Sequence, residues 1–205
     1  MVVRQAGGNF AVKIDLHVHY KRHAKDAEGY EEAMAQAALA AGLNGIAFTE
    51  HGQQLPEARL DELRAKFSPL AIWSGAEVGC AGHDFLVYGI ADLTNLVGCL
   101  HPANLAGRVH EAEGAIILAH PFRKNRLTDD CRASLRWLHG IEIVSRNTPP
   151  WAAPFIAMLA AQNGMPVYVN SDAHKPRNIG GHFNMVSELP TNLASWLRSN
   201  APCAS

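Results

Sequence analysis

Histidines in this chain fall where short, strand-like apolar runs begin or end. The run Val12–Val18 carries Asp15-Leu16-His17-Val18-His19, and Gly45–Thr49 leads into Glu50-His51. Leu70–Ser74 leads to Glu77, and His83 precedes Phe85–Ile90. Ala115–Ala119 stops at His120, and Pro166–Asn170 runs into Ser171-Asp172-Ala173-His174. Gly140–Val144 is a further run without such an ending. Between the runs lie stretches of helical pattern at Glu28–Ala41, Glu57–Lys66, Ala103–Glu113, Asp129–Leu138, Pro154–Asn163 and Asn192–Ser199. In the first of these Tyr30, Met34, Ala37, Ala38 and Ala41 fall on one face, and Gly42 stands where a left-handed cap would. Strand–helix alternation predicts a parallel α/β sheet, open or closed into a barrel. In a parallel barrel the C-terminal strand ends share one side, so these chelating residues would converge in one cleft.

The 205 residues predict one catalytic domain over 11–200, with a loose segment at 1–10. Hydrophobic residues at 48% are enough for a packed core. Lys+Arg 18 against Asp+Glu 19 supplies no cationic excess, which speaks against long nucleic acid as a partner. No run suits a membrane span, and the start lacks the apolar stretch of a secretion signal. The scattered cysteines, Cys80, Cys99, Cys131 and Cys203, have no CxxC spacing. Together these features predict a cytoplasmic protein with reduced thiols.

The spacing has a chemical reason. Side chains at i and i+2 of a strand point the same way, so HxH and DxH offer two ligands to one ion. Imidazole with carboxylate suits zinc, manganese and iron, and a carboxylate can bridge two ions. One HxH alone is a weak signal, but His17, His19, His51, His83, His120 and His174 recur at one end of successive elements. With Glu77 and Asp172 they make eight ligands, which implies at least two ions. His101, His110, His139 and His182 have no such partners and read as surface residues. No Walker, dinucleotide or G-x-S-x-G pattern is present, which leaves nucleotide-triphosphate, hydride and serine chemistry without support.

DLHVH, TEH, GAE, GHDFLVYG, AHP and SDAH, in that order, resemble the PHP (polymerase and histidinol phosphatase) family of metal-dependent phosphoesterases, over roughly residues 12–182. The resemblance implies a distorted (β/α)7 barrel with two or three divalent transition-metal ions (zinc, manganese or iron) at the C-terminal strand ends. It implies that His17, His19 and Asp172 hold one ion, that Glu77 bridges to a second held by His83 and His120, and that His51 and His174 hold a third. The further ligand to that third ion is His23 or Asp26. Glu50 would stand behind the ligands.

The implied reaction is hydrolysis of a small phosphate ester by a metal-bridging hydroxide, which ionises near neutral pH. Asp172 is a candidate proton donor to the leaving group. Arg123 is a candidate phosphate-binding side chain, and Lys175 and Arg177 are weaker ones. Thr148-Pro149-Pro150-Trp151 reads as a rigid turn or as a loop facing substrate. Two alternatives stand beside this reading. One is an amidohydrolase-type enzyme acting on a C–N or carboxylic ester bond; the other is a metal-binding module without turnover.

Overall fold

The computed structural model describes residues 12–21, 28–124 and 126–200. The expected loose segment 1–10, together with His23, Asp26 and Cys203, lies outside them. The chain alternates as expected: β1 (Val12–Val18), α1 (Glu31–Ala40), β2 (Gly45–His51), α2 (Glu57–Lys66), β3 (Ala71–Cys80), β4 (His83–Tyr88) and α3 (Pro102–Glu111). Then follow β5 (Ala115–Leu118), α4 (Asp129–Ser134), β6 (Ile141–Val144), α5 (Ala153–Gln162), β7 (Val167–Val169), β8 (Asn184–Val186) and α6 (Leu193–Asn200).

The eight strands form one sheet in the order β7-β6-β5-β4-β3-β2-β1-β8. The sheet curls into a nearly closed barrel. At its seam the His19 N–H donates to the Ala173 carbonyl at 2.9 Å, and Val18 bridges Ala173. Two strands depart from the all-parallel expectation. β4 runs antiparallel to β3 and to β5. The cause is the two-residue connection Ala81-Gly82, with φ of 52° and 79°, which turns the chain straight back as a hairpin. β8 runs antiparallel to β1 and is only three residues long, too short for a periodic signal.

Side-chain parity sorts the strands into inner and outer faces. Leu86, Tyr88, Ile117 and Tyr168 belong to the inner apolar cluster, whereas Phe85, Val87, Ile116 and Ile141 pack outward under the helices. The lower barrel is closed by α6, whose Leu193, Ala194 and Leu197 join the inner cluster. Each fully buried leucine there contributes roughly 1.5–3 kcal/mol. Gly89, with φ of 73°, permits this closure, because a Cβ there would meet the Ala194 Cβ at 2.5 Å.

Local expectations fail at two places. The α1 face is rotated: Glu31, Met34, Ala35 and Ala38 are buried, while Tyr30 is 56% exposed. An alanine-rich helix carries little to distinguish one face from the next. His139, read as a surface residue, is buried. Gly42 does take the left-handed conformation after α1, with φ of 70°. Cys80, Cys99 and Cys131 are buried free thiols. Among the described residues no helix is long and apolar enough to cross a membrane.

Candidate metal centre

Above the apolar layer, the upper end of the barrel is lined by imidazoles and carboxylates. β1 supplies two of them through an irregularity. Its register with β2 shifts between Asp15 and Val18. Ile14 and Leu16 face inward below that point, whereas Val18 packs outward with the second cluster. The shift in parity turns His17 and His19 into the barrel directly above Leu16. Asp15 faces elsewhere and accepts from the His17 and Ser171 amides at 3.2 and 3.1 Å. Burial pushes its carboxyl up to about 7.

Glu77, on β3, is the hub. Its Oε1 lies 2.8 Å from His120 Nε2 and 3.8 Å from His17 Nε2. Its Oε2 lies 2.9 Å from His51 Nδ1 and 3.4 Å from His19 Nε2. Asp172 Oδ1 is 3.5 Å from His17 Nε2, 3.4 Å from His19 Nε2 and 3.5 Å from His174 Nδ1. Four trios have ligand atoms all within 4.8 Å of one another: His17/His19/Glu77, His17/His120/Asp172, His19/His51/His174 and Glu77/Asp84/His120. The structure thus brings together His17, His19, His51, Glu77, His120, Asp172 and His174. His23 lies outside the described residues.

His83 does not join these groups. Its Nε2 accepts from the Thr128 amide at 3.2 Å, at the start of α4. The reason is strand parity: Asp84, Leu86 and Tyr88 share the inner face of β4, and His83 starts the outer one. Asp84 takes its place, with Oδ2 3.9 Å from His120 Nδ1. The alternation of Asp84 with two inner residues was the signal available in sequence. Arg123 is exposed on the turn after β5, beside Asp84 and His120. Its neighbour Lys124 pairs with Asp84 at 3.5 Å. Lys175 and Arg177 both pair with Glu28.

A further layer orients these side chains. His17 Nδ1 donates to Glu142 Oε1 at 3.1 Å, and His19 Nδ1 donates to Glu50 Oε1 at 3.3 Å. Glu142 also accepts from the His120 amide at 2.8 Å and from Asn170 Nδ2 at 2.9 Å. Asn170 Oδ1 accepts from the Leu16 amide at 3.1 Å and from Asn184 Nδ2 at 2.9 Å, which ties β8, β1, β7 and β6 across the seam. Asn147, just beyond β6, donates to Asp172 Oδ2. Glu142, Asn147 and Asn170 escaped the sequence reading. The signal for Glu142 was a lone acid inside the apolar run Ile141–Val144.

The donor set fits cations. Carboxylates on both Nδ1 atoms leave the two Nε2 atoms as lone pairs. They face each other at 3.0 Å. Asp172 Oδ1, buried beside them, accepts no hydrogen bond of normal geometry. Imidazole nitrogens and a carboxylate oxygen thus converge on one interior point, where a cation would take the place of their protons. The electrostatics agree in direction. Burial by itself would lower His19, but Asp172 and Glu50 outweigh it and carry the imidazole up to about 9. Burial opposes ionisation of Glu77, yet His120, His17 and His51 hold its carboxyl well below the usual range. Asp172 is held low in the same way by His17 and His19. His120 and Asp172 both have positive φ, 20° and 49°, conformations that ordinarily cost about 1–3 kcal/mol and gather at functional sites.

Comparison with known proteins agrees with this geometry. Residues 156–199 match the family described as PHP-associated. No curated protein matches the chain by sequence. A protein from Bifidobacterium adolescentis assigned as a metal-dependent phosphoesterase shares the fold, with 15% identity and a TM-score of 0.70 over 91% of this chain and 94% of that one. A lesion-specific endonuclease from Pyrococcus furiosus shares it at 18% identity and a TM-score of 0.67, over 92% of this chain and 56% of that one. An amidohydrolase from Chromobacterium violaceum, solved with sulfate and no metal, gives 17% identity and a TM-score of 0.63 over 94% and 98%. At these identities the likeness defines the fold, an α/β barrel of the PHP type. The matched segment, the barrel and the motifs agree on the PHP resemblance.

Proposed function

We propose that the protein is a PHP-type metal-dependent phosphoesterase that hydrolyses a small phosphate ester. The observation that carries this reading is Glu77, which is shared by two trios of candidate ligands, His17/His19/Glu77 and Glu77/Asp84/His120, as a carboxylate bridging two ions would be. His17, His19 and Asp172 would hold one ion, and His120 with Asp84 the other. His51 and His174, beside His19, would hold a third. Bound ions of this kind supply an ionised water near neutral pH and neutralise phosphate oxygens. The chain's own residues do the rest. Glu142 and Glu50 orient His17 and His19. Arg123 and Lys124, at the rim, attract the phosphate. Asp172, held ionised, serves as a ligand and not as a proton donor.

The near-neutral charge does not carry the exclusion of nucleic acid, because an endonuclease shares this barrel. This chain spans 56% of that protein, so a small ester remains the substrate proposed. The amidohydrolase neighbour keeps C–N hydrolysis as the second reading. A carboxylate at the hub favours the phosphoesterase. The deciding experiment assays metal-loaded protein against phosphomonoesters, phosphodiesters and amides side by side. Turnover confined to amides would overturn the proposal, and turnover of none would leave a binding module.

A further inference from the structure

The three described thiols gather on the outside of the barrel wall. Cys80, Cys99 and Cys131 belong to one apolar cluster between the sheet and the helices. Cys80 ends β3 on the outward face that it shares with Ala76 and Val78, directly before the hairpin turn Ala81-Gly82. Cys99 comes from the segment 89–101, which is neither helix nor strand. There the Cys99 amide donates to the Leu96 carbonyl at 3.2 Å. That turn sends Leu96 and Cys99 inward and leaves Val97 and Leu100 exposed.

Cys80 and Cys99 differ from Cys131 in access. Both line one cavity of about 300 Å³, with Gly82, His83, Gly98 and Leu100. A water molecule takes about 30 Å³, so a small oxidant fits beside both sulfurs. Cys131, on α4, is fully buried and does not line that cavity. Burial, and then the neighbouring Cys99 thiol, push the Cys80 thiol up to about 12. Cys80 therefore keeps its proton, and Cys99, 9% exposed against 3%, meets an oxidant first. The irregular backbone around Cys99 can take up the adjustment that the fixed geometry of a disulfide demands.

We propose that Cys80 and Cys99 form a reversible disulfide, closed by a peroxide, that staples the segment 89–101 to the β3–β4 hairpin. The Cys99 thiolate attacks the peroxide: an S–O bond forms, the O–O bond breaks, and the hydroxide released takes up the thiol proton as water. Cys80 then attacks the sulfur of the Cys99 sulfenic acid. The S–S bond forms, the S–O bond breaks, and the Cys80 proton leaves with the hydroxide as a second water. Two thiols lose two electrons, and one hydrogen peroxide is reduced to two waters. A dithiol reductant reverses the bond by exchange. The device needs neither bound metal nor turnover, so it stands apart from the phosphoesterase reading.

The test treats the purified full chain with hydrogen peroxide, blocks the remaining thiols with iodoacetamide and digests with chymotrypsin. Phe85 and Tyr88 lie between the two cysteines, so cleavage there leaves them on separate peptides. Mass spectrometry should find these two peptides joined, and dithiothreitol should release them. The bond closes the loop 80–99, so Tm should rise by about 5–10 °C and fall back on reduction. Cys131→Ala should keep the bond, and Cys99→Ser should abolish both the bond and the rise. No joined peptide in the wild type, whether Cys99 stays a thiol or is carried on to sulfinic acid, overturns the proposal. So does a bond from either cysteine to Cys131 or Cys203, or one between two copies of the chain. A Cys80–Cys99 bond that leaves Tm unchanged overturns the staple.

Discussion

Histidines sit at both ends of this barrel, and the two ends treat them in opposite ways. At the upper end His17 and His19 each have a carboxylate on Nδ1 and two more beside Nε2. At the lower end His139 accepts from the Ile116 amide at 3.1 Å, with the His110 ring 4.8 Å away and the cationic Arg198 nearby. The upper pair is driven above the usual imidazole range, His19 to about 9. Burial first, then His110 and Arg198, pushes His139 down to about 4. The same side chain is therefore disposed to bind a cation where carboxylates surround it and serves as a neutral structural acceptor where amides and cations do. A histidine's partners, more than its burial, report its role.

The largest expected effect falls on the hub of the upper end. Glu77→Gln removes the charge that four imidazoles share, and should cost on the order of a thousandfold in kcat/KM together with bound metal. Near-normal turnover would erase the contrast between the two ends. Glu142→Gln comes next. Both Glu142 oxygens accept hydrogen bonds, so an amide must turn its NH2 toward a donor. Metal affinity should fall about 10–100-fold in a calorimetric titration, with the fold kept by circular dichroism. Arg123→Ala should cost about ten- to a hundredfold in kcat/KM for a phosphomonoester, and Arg123→Lys should restore only part of it. Unchanged kinetics would remove Arg123 from the phosphate site.

The smallest effect belongs to the lower end and has the opposite sign of proton linkage. Folded His139 takes up a proton only near pH 4, whereas an unfolded histidine does so near 6.5. Between those values unfolding takes up a proton, so stability falls as pH drops through the window. The contribution is on the order of 1–3 kcal/mol, and chemical denaturation of wild type and His139→Gln from pH 7 to 4 should show it as a flatter curve for the variant. Parallel curves would show that His139 titrates freely.

Much of this was legible in sequence because local chemistry and fold agreed. β1 and α2 occur at the expected bounds, and six of the described ligand candidates, with Glu77, converge as their strand-end positions implied. The failures share one cause, which is that parity and partners are set by tertiary structure. His83 reads as a ligand from sequence because only the hairpin at Ala81-Gly82 fixes which residue of β4 faces inward, and that residue is Asp84. The register shift in β1 turns His17 inward and Asp15 away, which i, i+2 spacing alone does not show. Glu142 became visible only when β6 was placed beside β5, bringing its carboxylate under the His120 amide.

The most direct test of the account is metal content. Protein saturated with Mn²⁺ or Zn²⁺ and freed of loosely bound ions should carry two or three ions per chain by elemental analysis, and Glu77→Gln at most one. Wild-type protein that retains no stoichiometric metal would show that the upper histidines hold protons instead of ions, and would contradict the metal centre.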